Sequence, residues 1–306
     1  MWPFDVGGGV LALYLGTLAL HAVFVSYVVA GTAYVLARED AVAATVRDRL
    51  PFMLGCGITA GVAPLLFVQL LHQRRFYTAN LLLGPRWGAI VPALIVGFYA
   101  LYLAKTSERW KRLPLVVGLG CFAFVAYSWS ELHELAQAEP AWHDFYAAGH
   151  RIFLAGSIAP RFVVFAGAMA TLFALVAAWS ADAAGRQRLA AIAIGGRVAS
   201  IAGAIWLWRA GFELTGPAVA WGGILIAASV VDLGAWAVVI KRPTDRILAV
   251  ATAGGAAALL AAVVVRESPR IALIEPAPAA GGAIVFLVAL AVGAAAIGWI
   301  IRAARD

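Results

Sequence analysis

Apolar residues run along this chain in long unbroken blocks, without the alternation of a half-buried strand or the stripe of a surface helix. Nine blocks are long enough to cross a bilayer: 8–37, 51–72, 88–105, 113–134, 158–179, 190–211, 217–240, 247–265 and 281–301. At 1.5 Å per residue, about twenty residues span the roughly 30 Å hydrocarbon layer. Barrel strands alternate inward and outward residues, and these blocks do not, so each is predicted to be a transmembrane helix. The first block is long enough that it must tilt or project beyond the membrane. The predicted fold is all-α, a polytopic transmembrane helical bundle of about nine spans in a single integral membrane domain, 1–306.

Polar positions set the orientation. With the N-terminus outside, fourteen of the 23 lysines and arginines fall in inner loops and eight in outer ones, leaving Arg197 within the membrane. That bias predicts the N-terminus out and the C-terminus in. Residues 38–50, which carry Arg38, Arg47 and Arg49, read as a short amphipathic helix on the inner surface. Segments 73–87 and 135–157 fall on the outer side.

Composition agrees with the pattern. Of 306 residues, 63% are hydrophobic and 13% charged, and the mean hydropathy is +0.90, outside the range of a soluble domain. The net charge of +7 belongs to short loops, so it points to lipid head groups and a solvated basic rim rather than to nucleic acid. The first apolar block is much longer than a signal-peptide core and no basic residue precedes it. A bacterial-type inner (plasma) membrane is the expected location. Cys56 and Cys121 both lie inside predicted spans, and no Cys-x-x-Cys-His, phosphate loop, nucleophile elbow or zinc spacing occurs. No catalytic residue and no metal site are assigned, and enzymatic activity is left open.

Four of five histidines fall on the outer side: His72, His133, His143 and His150. With Arg75, Tyr77, Glu131, Arg161 and Arg209 they form an outer rim of His, Glu, Arg, Trp and Tyr. A quinone needs donors to its carbonyls, a proton acceptor when the quinol is oxidised, and an apolar slot for its tail. The rim offers such groups, although polar and aromatic residues also gather at helix ends simply as an interfacial belt. The candidate quinone-binding residues are His72, Arg75, Tyr77, Glu131 and His133.

The stretch Leu70-Leu71-His72, followed by Arg74-Arg75-Phe76-Tyr77 and Asn80, resembles the membrane-anchor subunits of polysulfide and dimethyl sulfoxide reductase-type respiratory complexes. In that family an outer-side histidine takes part in quinol binding, and the resemblance implies that role for His72. It covers some twenty residues. The chain departs from the family's pattern in its ninth predicted span and in lacking the Gly-Ser/Thr-Pro step after the histidine.

Haem b is the alternative cofactor, with His21, His72 and His133 as candidate ligands. A bis-histidine site needs two histidines at similar depth, and His21 lies on the order of 20 Å from the outer surface, where no other histidine falls. Met169 is a further candidate, although Met usually fills gaps in a core. His21 is expected to bond a neighbouring helix through Tyr or Ser. Arg197 and Asp232 lie roughly 12 Å deep on consecutive spans and are predicted to form an intramembrane ion pair.

Residues 1–180 hold the first five spans and most polar and aromatic residues, whereas 181–306, rich in Ala, Gly and Val, read as scaffold. The functional expectation is a membrane subunit of an electron-transfer complex that meets quinone at its outer face. Its partner subunits would carry haem or iron-sulfur centres. The alternatives are a small-solute transporter or channel, or a structural subunit of a membrane complex.

Overall fold

The computed structural model describes residues 6–107, 112–149 and 152–274, with Val288, Ala291 and Ala295 as isolated helical positions. Its helices are α1 (Val6–Ala37), α2 (Ala41–Leu71), α3 (Gln73–Leu83), α4 (Pro85–Gly88), α5 (Ile90–Thr106) and α6 (Arg112–Gln137). A 3₁₀ turn (Glu139–Ala141) leads to α7 (Trp142–Ala147), α8 (Ile158–Ala178), α9 (Ala183–Arg209), α10 (Pro217–Lys241) and α11 (Asp245–Ile271). Among the described residues there is no strand. Among the described residues, eight helices are long and apolar enough to cross a membrane: α1, α2, the run Pro85–Thr106, α6, α8, α9, α10 and α11. That is the pattern of a multi-pass membrane protein. The expected ninth span, 281–301, and His150 lie outside the described residues.

Consecutive spans make the largest contacts, α1 with α2, α5 with α6, α8 with α9 and α10 with α11. Small residues set the closest of these approaches. A Cβ on Gly196 would lie 2.6 Å from the Gly167 carbonyl, and one on Gly203 would lie 2.7 Å from the Val164 nitrogen. In hydrocarbon, where burial of apolar surface drives little association, such backbone proximity brings dispersion contacts and polar cross-links within reach. Thr171 uses it, donating from its hydroxyl to the Ala193 carbonyl at 3.1 Å.

Two apolar cores result. One, around Tyr27, Leu50, Phe173, Leu189, Trp236 and Leu248, fills the end of the bundle where α1 finishes. The other, around Leu11, Tyr14, Phe67, Phe76, Leu132 and Phe145, fills the end where α1 begins, called here the head end.

Two elements differ from the pattern-based expectation. Residues 41–50 are not a separate surface helix but the opening turns of the 31-residue α2. Asp40 caps them, accepting from the Ala43 N–H at 2.8 Å and from the Tyr34 hydroxyl at 2.8 Å. Val42, Ala43, Val46 and Leu50 are buried, and Val46 and Leu50 pack where Gly31 leaves room beside Phe173. Tertiary packing therefore carries the helix straight through Pro51, which costs it one backbone hydrogen bond.

The eighth span likewise runs to Ile271 instead of ending near 265. Its polar tail, Arg266-Glu267-Ser268-Pro269-Arg270, looks like a loop, yet it stays helical. Pro269 cannot donate to the Val265 carbonyl, and the Ser268 hydroxyl takes that acceptor at 2.8 Å. This extension carries three charged residues, Arg266, Glu267 and Arg270, into the head end.

Candidate functional site

The last three turns of α6 are the centre of the head end. Ser128, Ser130, Glu131, Leu132, His133, Leu135 and Ala136 are all buried, although four of the seven are polar. Such a stretch is stable only if neighbouring elements satisfy it. Three groups of charges engage it, while Ser128 Oγ and one nitrogen of His133 keep no hydrogen-bond partner among the described residues.

On one side Glu131, fully buried, pairs with Arg86 from α4 and accepts the backbone N–H of Phe153. Arg86 also lies over the Tyr127 ring at 5.4 Å. On a second side Glu134 takes Arg161 Nε from the start of α8 at 2.6 Å and the Ser157 hydroxyl at 2.6 Å. The third side holds the histidines. Glu267 of α11 is fully buried, accepts from the Tyr14 hydroxyl of α1 at 2.8 Å, and pairs with Arg266 and with Arg270 at 3.4 Å. Arg270 Nη1 then reaches His133 Nδ1 at 3.2 Å.

This last contact decides the state of His133. A guanidinium only donates, so Nδ1 must accept, and the ring proton of the neutral imidazole sits on Nε2. Nε2 has no hydrogen-bond partner among the described residues, although the ring is only 3% exposed. A buried donor without an acceptor costs about 1–3 kcal/mol. The surroundings add positive charge, because Glu267 faces both Arg266 and Arg270. The side of α6 that holds His133 is thus cationic and presents one idle N–H.

His72 stands beside it. It joins α2 to α3, is 3% exposed, and has the Leu273 backbone as a hydrogen-bond partner. Burial, reinforced by the Arg270 charge, pushes its pKa down to about 4. The folded pKa lies below the ordinary value of 6.5, so the unfolded chain binds more protons between about pH 6.5 and 4. His72 is therefore expected to lower stability across that window as the pH falls, by on the order of 3 kcal/mol in total. Thermal unfolding of the detergent-solubilised chain between pH 7.5 and 4 would measure this. His72→Gln should flatten the slope, and an unchanged slope would refute it.

The other predicted residues fall elsewhere. Arg75 lies at the surface of the head end, 2.8 Å from Glu139, which Arg74 also clasps at 2.6 Å. These guanidiniums hold the Glu139 carboxyl below its usual range. Tyr77 is about half exposed and rests against Phe76. His143 is exposed and bonds its neighbour Asp144 at 3.2 Å. His21 bonds the Gly57 carbonyl of α2 at 2.9 Å, rather than a Tyr or Ser.

Arg86, Arg161, Arg266 and Arg270, read from sequence as a solvated basic rim or as outer helix ends, are instead engaged with buried or largely buried carboxylates. Tyr14 and Glu267 carried no signal as site residues, although Glu267-x-x-Arg270 is one helical turn apart. The supposed scaffold half supplies both Glu267 and Arg270, so the head-end cluster is not confined to residues 1–180.

The histidines differ in what they can offer a ligand. Iron takes a histidine through a free lone pair, and His133 Nε2 carries the ring proton while Nδ1 is held by Arg270. His21 donates from Nδ1 to the Gly57 carbonyl, so its Nε2 keeps a free lone pair, and its ring packs where a side chain at Gly61 would be. The His133 N–H fits a ligand that offers an oxygen acceptor, which a quinone head group does. Deeper in the bundle Arg197 donates from Nε and Nη2 to Asp232 Oδ2, at 3.1 and 2.6 Å. Asp232 is fully buried, and the α11 backbone at Gly254 packs against it. Compared with known proteins, the chain matches no family model, no curated sequence and no solved structure.

Proposed function

We propose that this chain is the membrane subunit of an electron-transfer complex and receives a quinone head group at the head end, beside His133 and His72. The observation that carries the proposal is the idle Nε2–H of His133, buried beside the Arg266–Glu267–Arg270 cluster. A quinone carbonyl satisfies that donor. The bound quinone supplies two-electron, two-proton redox chemistry. The chain's own residues orient the head group, exclude water and hold nearby charge fixed. Tyr14, Glu267 and Arg270 lock the donor in place, and neutral His72 stands near it. The arginine bias of the loops puts this end at the outer membrane face. Partner subunits would carry the haem or iron-sulfur centres, since this chain has no motif for either.

The test is photolabelling of the membrane-embedded chain with an azido-substituted quinone. The expected result is saturable labelling of peptides covering 128–137 or 266–274, displaced by excess unmodified quinone. Labelling that never saturates, or that falls only on lipid-facing helices, overturns the proposal. One observation favours a second function, a solute or proton path along α9 and α10: the charged pair Arg197–Asp232 deep in the bundle. Both guanidinium nitrogens converge on a single carboxylate oxygen, the arrangement of a clasp between helices.

A further inference from the structure

We infer that Arg270 is a positioning residue that makes the head-end site select oxidised quinone over quinol. The inference rests on the proposed quinone function and adds the redox form that the site prefers.

Selection begins with the number of donors and acceptors around His133. Arg270 donates to Nδ1, so the ring has one face to offer a ligand, and that face is a donor. Both oxygens of Glu267 are already engaged, so a ligand hydroxyl would have to compete for them. Oε1 is taken by Arg266, and Oε2 by Tyr14 and Arg270. The tyrosine hydroxyl is spent as a donor to the same carboxylate.

A quinone carbonyl is an acceptor with two lone pairs and no hydrogen, the complement of this wall. A quinol hydroxyl brings a donor that must compete with Arg266, Tyr14 and Arg270 for Glu267, and its own oxygen is the poorer acceptor. The second arginine matters as well. Arg266 and Arg270 against one glutamate leave the wall cationic, which strengthens a hydrogen bond to an electron-rich oxygen in a low-dielectric setting. Were Arg270 replaced by an apolar residue, the His133 proton could move to Nδ1. Nε2 would then be an acceptor, and the preference would fade or reverse.

Two measurements on the purified full chain in lipid nanodiscs test this. The first is equilibrium binding of a short-chain ubiquinone and, under anaerobic conditions, of its quinol. The second is the ¹⁵N resonance pattern of His133, which reports the tautomer without any ligand. The expected results are at least tenfold tighter binding of the quinone and an Nε2–H imidazole. Arg270→Met should lose both the preference and the single tautomer, while Arg270→Lys, which still donates to Nδ1, should retain them.

Quinol binding as tightly as quinone, or an Nδ1–H imidazole in the unaltered chain, overturns the inference and leaves the quinone function standing. Saturable binding of neither form removes the quinone function, and the selectivity with it. If Arg270→Met does not fold, the two measurements on the unaltered chain still decide.

Discussion

Replacing Glu267 with Leu is expected to destabilise the chain by about 3–5 kcal/mol, the cost of breaking a buried ion pair from one side. The carboxylate is fully buried and is the counter-charge for both Arg266 and Arg270. Without it Arg270, only 4% exposed, is left with a neutral imidazole as its remaining partner, and the Tyr14 hydroxyl loses its acceptor. Arg266 can turn toward the surface more easily, since its side chain is 18% exposed. The size of the effect therefore depends mainly on Arg270.

The double variant Glu267→Leu/Arg270→Met removes the stranded charge together with its partner and should recover much of the loss. Unfolding in mixed detergent, followed by loss of helical circular dichroism, gives both values. A single-variant loss below about 1 kcal/mol, or a double variant as unstable as the sum of the singles, would mean that water reaches this cluster. The charges would then not be the lock that holds His133.

The second large effect is expected at the deeper pair. Asp232→Ala leaves Arg197, only 8% exposed, without a counter-ion inside the bundle and should cost a similar 3–5 kcal/mol. The compensating variant Arg197→Leu/Asp232→Leu should come back close to the original stability, because hydrophobic replacement of a buried pair is often neutral. These substitutions also separate the two functional proposals. A clasp predicts lost stability and yield, with quinone binding at the head end intact in whatever folds. An Asp232→Ala protein of full stability that failed in proton or solute movement would favour the transport path instead.

Much of the architecture was legible because the bilayer imposes a length rule. An apolar run of about twenty residues has few stable alternatives to a spanning helix. Hence α8 and α10 coincide with their predicted blocks to within a residue. Where the apolar run stopped but the helix did not, the pattern was silent. Val42, Val46 and Leu50 share this stretch with charges, so 38–50 read as a surface helix, and the space at Gly31 beside Phe173 buries Val46 and Leu50 while Val42 packs at Gly185. The 266–270 stretch read as loop because charges and proline usually end a span. Its helix survives because Tyr14 and His133, distant in sequence, satisfy its charges.

The candidate site divides in the same way. His72 and His133 were legible as polar groups at the ends of spans on one side, and the structure brings both to Arg270. Arg75 and Tyr77 shared the same local signal and lie outside the cluster, because α3 turns them toward Glu139 and the surface. Local pattern gives the depth of a residue along the membrane normal but not its bearing around the bundle.

What the amino-acid order determined alone is the helical class, the approximate spans, and the depth at which each charge would lie. These follow from hydrophobicity and rise per residue, which are properties of single segments. The pairing of Glu267 with Tyr14 and Arg270, the engagement of four head-end arginines with carboxylates, and the tautomer of His133 were decided only by tertiary structure. Each depends on which helices become neighbours, and that is set by small-residue contacts and by charge satisfaction between segments up to 253 residues apart.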